Sequence, residues 1–553
     1  MIETTMPSSP SFSPVAISRP FTVCFVMMRA LLLTCLLIGS QAILAAEPPH
    51  HPPPAADKEK STPDNNTDED SAANDDAQKE GEKSDPKEPS DSVTEHRMVL
   101  NGQPLEYTAT AGFLPLVDPK GEETARIFYI AYTAKNSKPG QRPLTFSFNG
   151  GPGSSSVWMH LGLLGPKRVK LKDNGFAVPP PYRLVDNEQC LLDTTDLVFI
   201  DPVGTGYSRA TKPEDAAKFH GVREDAQSVA EFIRLYVTQN ERWLSPKFLI
   251  GESYGTTRAA ALSGELLNTH RMNLNGIMLV STVLNFQTVW GGSGNDLPHV
   301  MYLPSYAATA WYHKKLSPAL QQLPLEKVLS EAENFALGEY NEALTRGTSL
   351  PAAQRRQIAQ RMAQLTGLSE TFVTESDLRV PLHRFNAELL RAEKKVVGRF
   401  DSRYTSLVQD PLSENAETDP SADAIFSAFA STFNDYIRRD LKFEKDEPYV
   451  ILGGVGKWNW NAENQFANVA DTLAESITQN PFLKVHVSSG HYDLATPYLA
   501  TRYTFWHLDV HPDLQKNVIM DDYDAGHMMY LNLPDLKKQK TDLSNFIREA
   551  SKN

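Results

Sequence analysis

Short runs of apolar residues alternate with amphipathic stretches along most of the chain. Seven of these runs have the length and the apolar content of buried strands, and they lie at residues 126–134, 144–150, 196–201, 247–253, 276–282, 483–489 and 517–522. Strands that alternate with helices predict an α/β fold with a mostly parallel central sheet. Sheets of this kind place their functional sites at the carboxyl ends of their strands.

Helical spacing is clearest in residues 223–240, whose predicted apolar face consists of Ala226, Val229, Ala230, Ile233 and Val237. Residues of about 300–445 differ from the rest, because they contain few strand-like runs and many helical ones. We expect them to form a helical insertion between two core strands. Such an insertion forms either a lid over the site or plain helical packing on the sheet, and the sequence leaves both open.

The first 95 residues lack this pattern. Residues 27–46 contain one Arg, an apolar stretch and small residues at the end, which is typical of a signal peptide. We therefore expect a signal peptide over residues 1–46, with Met27 and Met28 as alternative starts. The apolar stretch is short for a membrane span, so the prediction is export to the periplasm or out of the cell without stable membrane association.

Residues 47–95 are rich in Pro, Asp, Glu, Lys and Ser and contain almost no large apolar side chains. Such a segment buries too little surface to offset its chain entropy, which predicts a disordered linker before a folded domain at residues 96–553. The segment carries 15 acidic and 5 basic side chains, whereas the whole chain of 553 residues has a net charge of −14. The remainder is therefore only weakly acidic, which argues against nucleic-acid binding.

Three cysteines are present, and only Cys190 lies beyond the expected signal peptide. The exported chain therefore has no internal disulfide, and we expect Cys190 to be a buried apolar residue. An H-E-x-x-H motif is absent from the sequence, and we expect neither a metal site nor a cofactor. The sequence leaves the oligomeric state open.

One serine lies between two glycines, in the segment Gly251-Glu252-Ser253-Tyr254-Gly255. The segment fits G-x-S-x-G, follows an apolar run and precedes a helix-like stretch, which is the context of a nucleophile elbow. In an elbow a tight turn lifts the serine into solvent at a helix N-terminus, where the helix dipole favours a developing oxyanion. A glycine-rich helix start is the alternative, and we predict that Ser253 is a nucleophile.

A serine nucleophile needs a base, and the base needs an orienting acid; elbow enzymes supply them in the order Ser, Asp or Glu, His. Asp493 and His527 each follow a predicted strand, and we expect them to be the acid and the base. Asp521, Asp522 and Asp524 compete for the role of acid, but they stand too close to His527 along the chain. Four other histidines are expected to be ordinary structural or surface residues: His486, His491, His507 and His511.

An oxyanion hole needs two backbone N–H groups, and one of them belongs to the residue after the nucleophile, here Tyr254. The segment 148–156 follows a predicted strand and is rich in glycine, so its backbone can approach a substrate closely. We expect Gly151 to supply the second N–H group. A plain tight turn would not explain why Gly150, Gly151 and Gly153 cluster there.

Taken together, these stretches resemble the serine carboxypeptidase family, peptidase family S10. The matching motifs stand in family order and are NGGPGSSS at 149–156, DPVGTGYS at 201–208, GESYG at 251–255, the YDLATP acid loop and the AGH histidine loop. The resemblance implies an α/β-hydrolase fold and removal of C-terminal residues from peptides with a free C-terminus. It also implies that Asn149, Glu252 and the Gly150 backbone hold the free carboxylate of the substrate.

Two departures from the family pattern affect the interpretation of the chain as a carboxypeptidase. Family peptidases commonly carry a second glutamate where this chain has Leu163, which leaves the strength and the acid preference of the carboxylate clamp open. Secreted eukaryotic members have disulfides that this chain cannot form, so the chain is more similar to an exported bacterial member. An acyltransferase or esterase on the same scaffold is the alternative function, although Glu252 favours the peptidase; a non-catalytic binding protein is the third.

Overall fold

The chain folds around a large, mostly parallel β-sheet. This computed structural model describes residues 91–135, 138–415 and 418–552. The strands are β1 (Ser92–Leu100), β2 (Gln103–Val117), β3 (Glu123–Ala134), β4 (Leu144–Phe148), β5 (Lys167–Val169), β6 (Leu184–Asp186), β7 (Asp196–Ile200), β8 (Arg209–Ala210), β9 (Lys247–Glu252), β10 (Gly276–Val280), β11 (Lys395–Val397), β12 (Thr405–Leu407), β13 (Lys484–Gly490) and β14 (Val518–Tyr523).

Ten of these strands form one sheet in the order β1-β2-β3-β7-β4-β9-β10-β13-β14, with β8 paired to β3. In this order the strands from β7 through β4, β9, β10 and β13 to β14 all pair in parallel. By contrast, β1, β2 and β3 form an antiparallel edge. The seven predicted strands correspond to β3, β4, β7, β9, β10, β13 and β14. The α/β-hydrolase fold expected from the sequence is thereby confirmed.

The hairpin of β1 and β2 is missing from the predicted elements. It turns at Asn101 and Gly102, which have φ angles of 51° and 74°, and an Asn-Gly pair favours such a turn. The prediction of a disordered linker is wrong for residues 92–95, because they begin β1 and pair with residues 108–111. The polar composition of these residues predicts disorder, but their backbone hydrogen bonds to β2 hold them in a strand that directly follows a charged segment of the sequence. The signal peptide and the linker up to residue 90 lie outside the described residues.

Helices cover both faces of the sheet. They are α1 (Val157–Met159), α2 (Val222–Gln239), α3 (Tyr254–Asn268), α4 (Leu297–Tyr312), α5 (Pro318–Gln321), α6 (Leu325–Phe335), α7 (Asn341–Arg346), α8 (Ala352–Thr366), α9 (Glu370–Glu375), α10 (Leu382–Glu388), α11 (Pro420–Arg439), α12 (Ala470–Gln479), α13 (Tyr498–Trp506), α14 (Pro512–Gln515) and α15 (Leu533–Ala550). The predicted apolar face of α2 is buried, as its spacing indicates.

Two apolar clusters hold the sheet between the helix layers. One packs α2, α3 and α12 against one face of the sheet, and the other packs α11 and α15 against the opposite face. Cys190 is a free, buried thiol in the second cluster, and burial raises its pKa to about 12. Among the described residues, no helix is both long enough and apolar enough to span a bilayer.

The segment between β10 and β13 contains α4 to α12, and its helices α4 to α10 share a third apolar cluster. It corresponds to the expected helical insertion, and it also contains the short antiparallel hairpin of β11 and β12. Residues from this segment reach the cavity described below. A lid and plain helical packing on the sheet both remain predictions for this segment.

Candidate active site

Ser253 lies at the sharp turn between β9 and α3. Its backbone has φ 60° and ψ −130°, which few residues other than glycine adopt and which is common at functional sites. A Cβ atom on Gly251 would lie 2.1 Å from the Gly255 carbonyl oxygen, and one on Gly255 would lie 2.9 Å from the Phe148 carbonyl oxygen. Both flanking glycines are therefore required by the close approach of α3 to β9 and β4.

His527 and Asp493 follow the neighbouring strands β14 and β13, and their side chains are in direct contact. The distance between His527 Nδ1 and Asp493 Oδ2 is 2.7 Å, and both side chains are buried. The backbone N–H groups of Ala495 and Thr496 donate to Asp493 Oδ1 at 2.7 and 2.9 Å. The Thr496 hydroxyl donates to Oδ2 at 2.8 Å, so the carboxylate is held on both oxygens.

The charged neighbours of His527 affect the pKa of its imidazole. Burial by itself would lower the pKa of His527, but the Asp493 carboxylate and, more weakly, Glu252 outweigh burial, so the pKa of His527 is raised. The Phe400 ring stacks on the imidazole at a centroid distance of 5.1 Å, and the Phe400 carbonyl accepts a 2.6 Å hydrogen bond from the His527 backbone N–H group. Packing and hydrogen bonds together fix the orientation of the ring.

The competing acids have partners other than His527: Asp521 contacts His486, Asp522 contacts Arg502 and Asp524 contacts His491. His507 bonds a carbonyl in its own helix, and His511 caps α14. Among these carboxylates, only Asp493 bonds His527. The choice of Asp493 as orienting acid therefore has geometric support.

Ser253 and His527 line the same cavity. Among the described residues, however, no hydrogen bond joins the Ser253 hydroxyl to the His527 ring. Catalytic hydrogen bonds are often long or poorly aligned before a substrate binds. The structure therefore joins Asp493 and His527 directly and places Ser253 in the same cavity as His527, without a serine–histidine hydrogen bond among the described residues.

The glycine-rich loop after β4 packs against the elbow. A Cβ atom on Gly150 would lie 2.5 Å from the Tyr254 backbone nitrogen, and Gly151 has a φ of 102°, which favours glycine. The Arg258 guanidinium, ion-paired to Asp225 at 2.7 Å, donates to the Asn149 carbonyl at 2.5 Å. These contacts hold the loop that carries Gly151 next to the elbow that carries Tyr254.

We predict that Gly150→Ala lowers kcat about 100-fold while the protein stays folded, because the new methyl group displaces the loop from the elbow and misplaces an oxyanion donor. Steady-state kinetics and circular dichroism measure the two quantities. Gly291→Ala is the matched control, since a Cβ atom there meets nothing within 4 Å. Activity of Gly150→Ala within twofold of the wild type would contradict the packing argument.

The three residues that the resemblance implies as ligands of the substrate carboxylate lie together, and a tyrosine joins them. Asn149 Nδ2 donates to Glu252 Oε1 at 3.0 Å, and Gly150 directly follows Asn149 in the same cavity. The Tyr530 hydroxyl donates to Glu252 Oε2 at 2.5 Å. Burial raises the pKa of Glu252 to about 7, although His527 and the hydrogen bonds from Tyr530 and Asn149 act in the opposite direction. Glu252 thus titrates near neutral pH.

The cavity around these groups has a volume of about 220 Å³. Its apolar side chains are Pro152, Trp158, Phe400, Ile425, Phe426, Leu452 and Met528. Its charged or titratable side chains are Glu252, His527 and the exposed Arg399. Leu163 is buried in the core and does not line this cavity, so it does not take the place of the second glutamate as a ligand.

The sequence predictions omit Tyr530, Phe400 and Arg399. Tyr530 lies three residues after His527, but no motif distinguishes it from an ordinary core tyrosine. Phe400 and Arg399 come from the helical insertion, whose placement over the cavity depends on tertiary packing. Among the described residues no group of three or more His, Cys, Asp or Glu side chains is placed to hold a metal ion.

A parallel sheet with a serine at the turn between β9 and α3 defines the class of this protein as a hydrolase of the α/β-hydrolase fold. A family model described as serine carboxypeptidase, family S10, matches residues 101–531. This match covers well over half of the chain, and the chain belongs to the serine carboxypeptidase family.

Individual relatives are distant. Serine carboxypeptidase-like 9 of Arabidopsis thaliana is 25% identical over 192 residues, which are 33% of this chain and 42% of the relative. Serine carboxypeptidase-like 45 of the same plant is 27% identical over 208 residues, or 36% of this chain and 41% of the relative. The match thus spans about two fifths of the length of these relatives.

Solved structures with a similar chain path include a proline iminopeptidase of Mycobacterium smegmatis, with a TM-score of 0.35 and 14% identity over 80% of this chain and 98% of that chain. A carboxyl esterase of Bacillus coagulans has a TM-score of 0.31 and 13% identity over 80% of this chain and 99% of that chain. Likenesses this low indicate nothing about substrate or reaction.

Proposed function

We propose that this protein is a serine-type carboxypeptidase that removes C-terminal residues from peptides through an acyl-enzyme on Ser253. The observation that carries the proposal is the hydrogen-bonded pair of Asn149 and Glu252, which lines the same cavity as Ser253 and His527. A carboxyl group beside the nucleophile that holds a proton at and below neutral pH can donate a hydrogen bond to the free carboxylate of a peptide, which an amidated or esterified C-terminus lacks.

In the proposed mechanism, Ser253 Oγ attacks the scissile carbonyl and His527 Nε2 takes the serine proton. Asp493 holds the other imidazole nitrogen and stabilises the imidazolium that forms. The backbone N–H groups of Tyr254 and Gly151 bind the oxyanion. The imidazolium then protonates the leaving amine, and water resolves the acyl-enzyme by the reverse sequence of proton transfers.

The terminal carboxylate of the peptide binds at Asn149, the Gly150 backbone and Glu252. Asn149 Oδ1 accepts from the Met159 backbone N–H group at 3.1 Å, so its amide nitrogen faces Glu252 and the cavity. A substrate carboxylate bound beside the Glu252 carboxylate would be repelled unless one of the two held a proton. Because the pKa of Glu252 is about 7, its protonated form predominates below neutral pH and its ionised form above it.

The test is Glu252→Gln, which keeps a hydrogen-bond donor and removes the charge. For the wild type, kcat/KM on a peptide with a free C-terminus should fall as pH rises through about 7, while the amidated peptide of the same sequence should show no such fall. In Glu252→Gln the fall should disappear for the free-acid peptide, with little change for the amide. The measurement is kcat/KM against pH for both enzymes on the paired substrates.

The ratio of the two substrates isolates Glu252, because the titration of His527 affects both substrates alike. Superimposable profiles for the two enzymes, or no preference for the free acid, would contradict the carboxypeptidase assignment and leave an esterase or acyltransferase. Export of the mature chain and its use of extracytoplasmic peptides remain proposals that rest on residues 1–46, which lie outside the described residues.

A further inference from the structure

Both carboxyl oxygens of Glu252 have a partner inside the protein. Asn149 Nδ2 donates to one oxygen at 3.0 Å and the Tyr530 hydroxyl donates to the other at 2.5 Å. Glu252 is 4% exposed and Tyr530 is 1% exposed, so solvent does not replace either contact. A buried carboxyl group with two donors is held in one orientation.

The Tyr530 ring is fixed by its packing. A Cβ atom on Gly162 would lie 2.4 Å from the ring carbon Cε2, so the ring rests directly on the helical turn His160–Leu164. Leu163 follows Gly162 on that turn and packs into the core. The helical turn His160–Leu164 therefore places no carboxyl group beside Glu252. The hydroxyl of Tyr530, which follows His527 in the chain, contacts Glu252 instead.

We propose that Tyr530 is a positioning residue for Glu252, and that its hydroxyl takes the part of a second carboxyl group and sets the upper pH limit of carboxylate binding. This inference rests on the proposed function, since Glu252 binds the substrate and Tyr530 acts through Glu252. It adds a residue and a pH range to the proposed site.

The chemistry of the two kinds of partner differs. A pair of carboxyl groups shares one proton, and the pair loses it in a step that belongs to both groups. Burial and the neighbouring Glu252 keep the pKa of Tyr530 well above its ordinary value, so the phenol retains its proton throughout the working range. It therefore donates to ionised Glu252 and favours that form, and it can accept from Glu252 when the carboxyl group is protonated.

Other charged or polar groups face Glu252 as well. His527 and Asn149 favour the ionised form of Glu252, like Tyr530, and Asp493 disfavours it. Asn149 also hydrogen-bonds the Tyr530 hydroxyl, so removal of that hydroxyl costs Asn149 one contact but leaves its charge and those of His527 and Asp493 unchanged. The comparison with the Glu252→Gln background below therefore assigns the effect to Glu252.

The test is Tyr530→Phe, which keeps the ring on Gly162 and removes only the hydroxyl. Loss of a donor to the carboxylate destabilises ionised Glu252 and raises its pKa. The ratio of kcat/KM for the free-acid peptide to that for the amidated peptide should therefore fall at a higher pH than in the wild type, by about one pH unit. The variant should be the better enzyme on free-acid peptides just above neutral pH.

Two further variants complete the design. Tyr340→Phe is the matched control, because the Tyr340 hydroxyl is also buried but donates to the Leu378 carbonyl in the helical insertion; its ratio should follow the wild type. In Glu252→Gln, which cannot ionise, adding Tyr530→Phe should leave the ratio unchanged at every pH. This cycle assigns the shift to the contact between the two residues.

The outcomes separate the inference from the proposed function. If the wild type shows no preference for the free acid, the carboxypeptidase assignment itself fails. If the preference is present but the Tyr530→Phe profile superimposes on the wild type, shifts to lower pH, or drops equally for both substrates at every pH, the inference is overturned and the assignment stands. A shift to higher pH that vanishes in the Glu252→Gln background supports it.

Discussion

Ser253→Ala should lower kcat by on the order of a million-fold and leave the protein folded. The loss is large because every step of the proposed reaction passes through a bond to Ser253 Oγ. The fold should persist because the strained turn is imposed by the packing of α3 against β9 and β4, in which the flanking glycines and not the serine hydroxyl take part. Single-turnover assays and circular dichroism measure the two effects.

A second readout does not depend on the substrate. A fluorophosphonate probe should label the wild type at Ser253 and leave Ser253→Ala unlabelled, as peptide mapping by mass spectrometry would show. Ser305→Ala is the matched control, since Ser305 is a buried serine of α4 whose hydroxyl has no hydrogen-bond partner among the described residues. If Ser253→Ala kept a tenth of the activity, another residue would have to be the nucleophile.

The sequence predicts those strands whose pattern of apolar residues can be recognised within a few consecutive positions. The parallel strands β4, β7, β9 and β10 are buried along their whole length and appear in the sequence as short apolar runs, so the predicted bounds lie within two residues of the observed ones at each end. The hairpin of β1 and β2 has half-exposed, mixed positions, and β1 adjoins a charged tail. Its one clear signal is the Asn-Gly turn, and composition outweighed that signal.

The candidate site divides in the same way. Ser253, Asp493 and His527 could be placed because the carboxyl ends of parallel strands meet at one edge of the sheet, so residues far apart along the chain converge there. Tyr530 and Phe400 could not. Their roles follow from a ring resting on Gly162 and a ring stacked on His527, and neither contact has a periodicity or a spacing in the sequence.

Asp493→Asn should lower kcat by about four orders of magnitude, and the hydrogen bonds around the carboxylate explain why. Oδ1 accepts from two backbone N–H groups, of Ala495 and Thr496, which cannot change into acceptors. The asparagine must therefore place its carbonyl oxygen at that position and turn its NH₂ group towards His527. The imidazole can then only accept at Nδ1, which puts its proton on Nε2, the nitrogen that has to take the proton of Ser253.

The same substitution should shift the pH dependence of the residual activity. The Asp493 carboxylate opposes burial and raises the pKa of His527, so its loss should lower that pKa, and the acid limb of kcat/KM on an amidated peptide should move to lower pH. Asp524→Asn is the matched control, because Asp524 bonds the outlying His491 and not His527; its kcat and its profile should both stay close to those of the wild type. A larger loss in Asp524→Asn than in Asp493→Asn would mean that Asp493 is not the acid that orients the base.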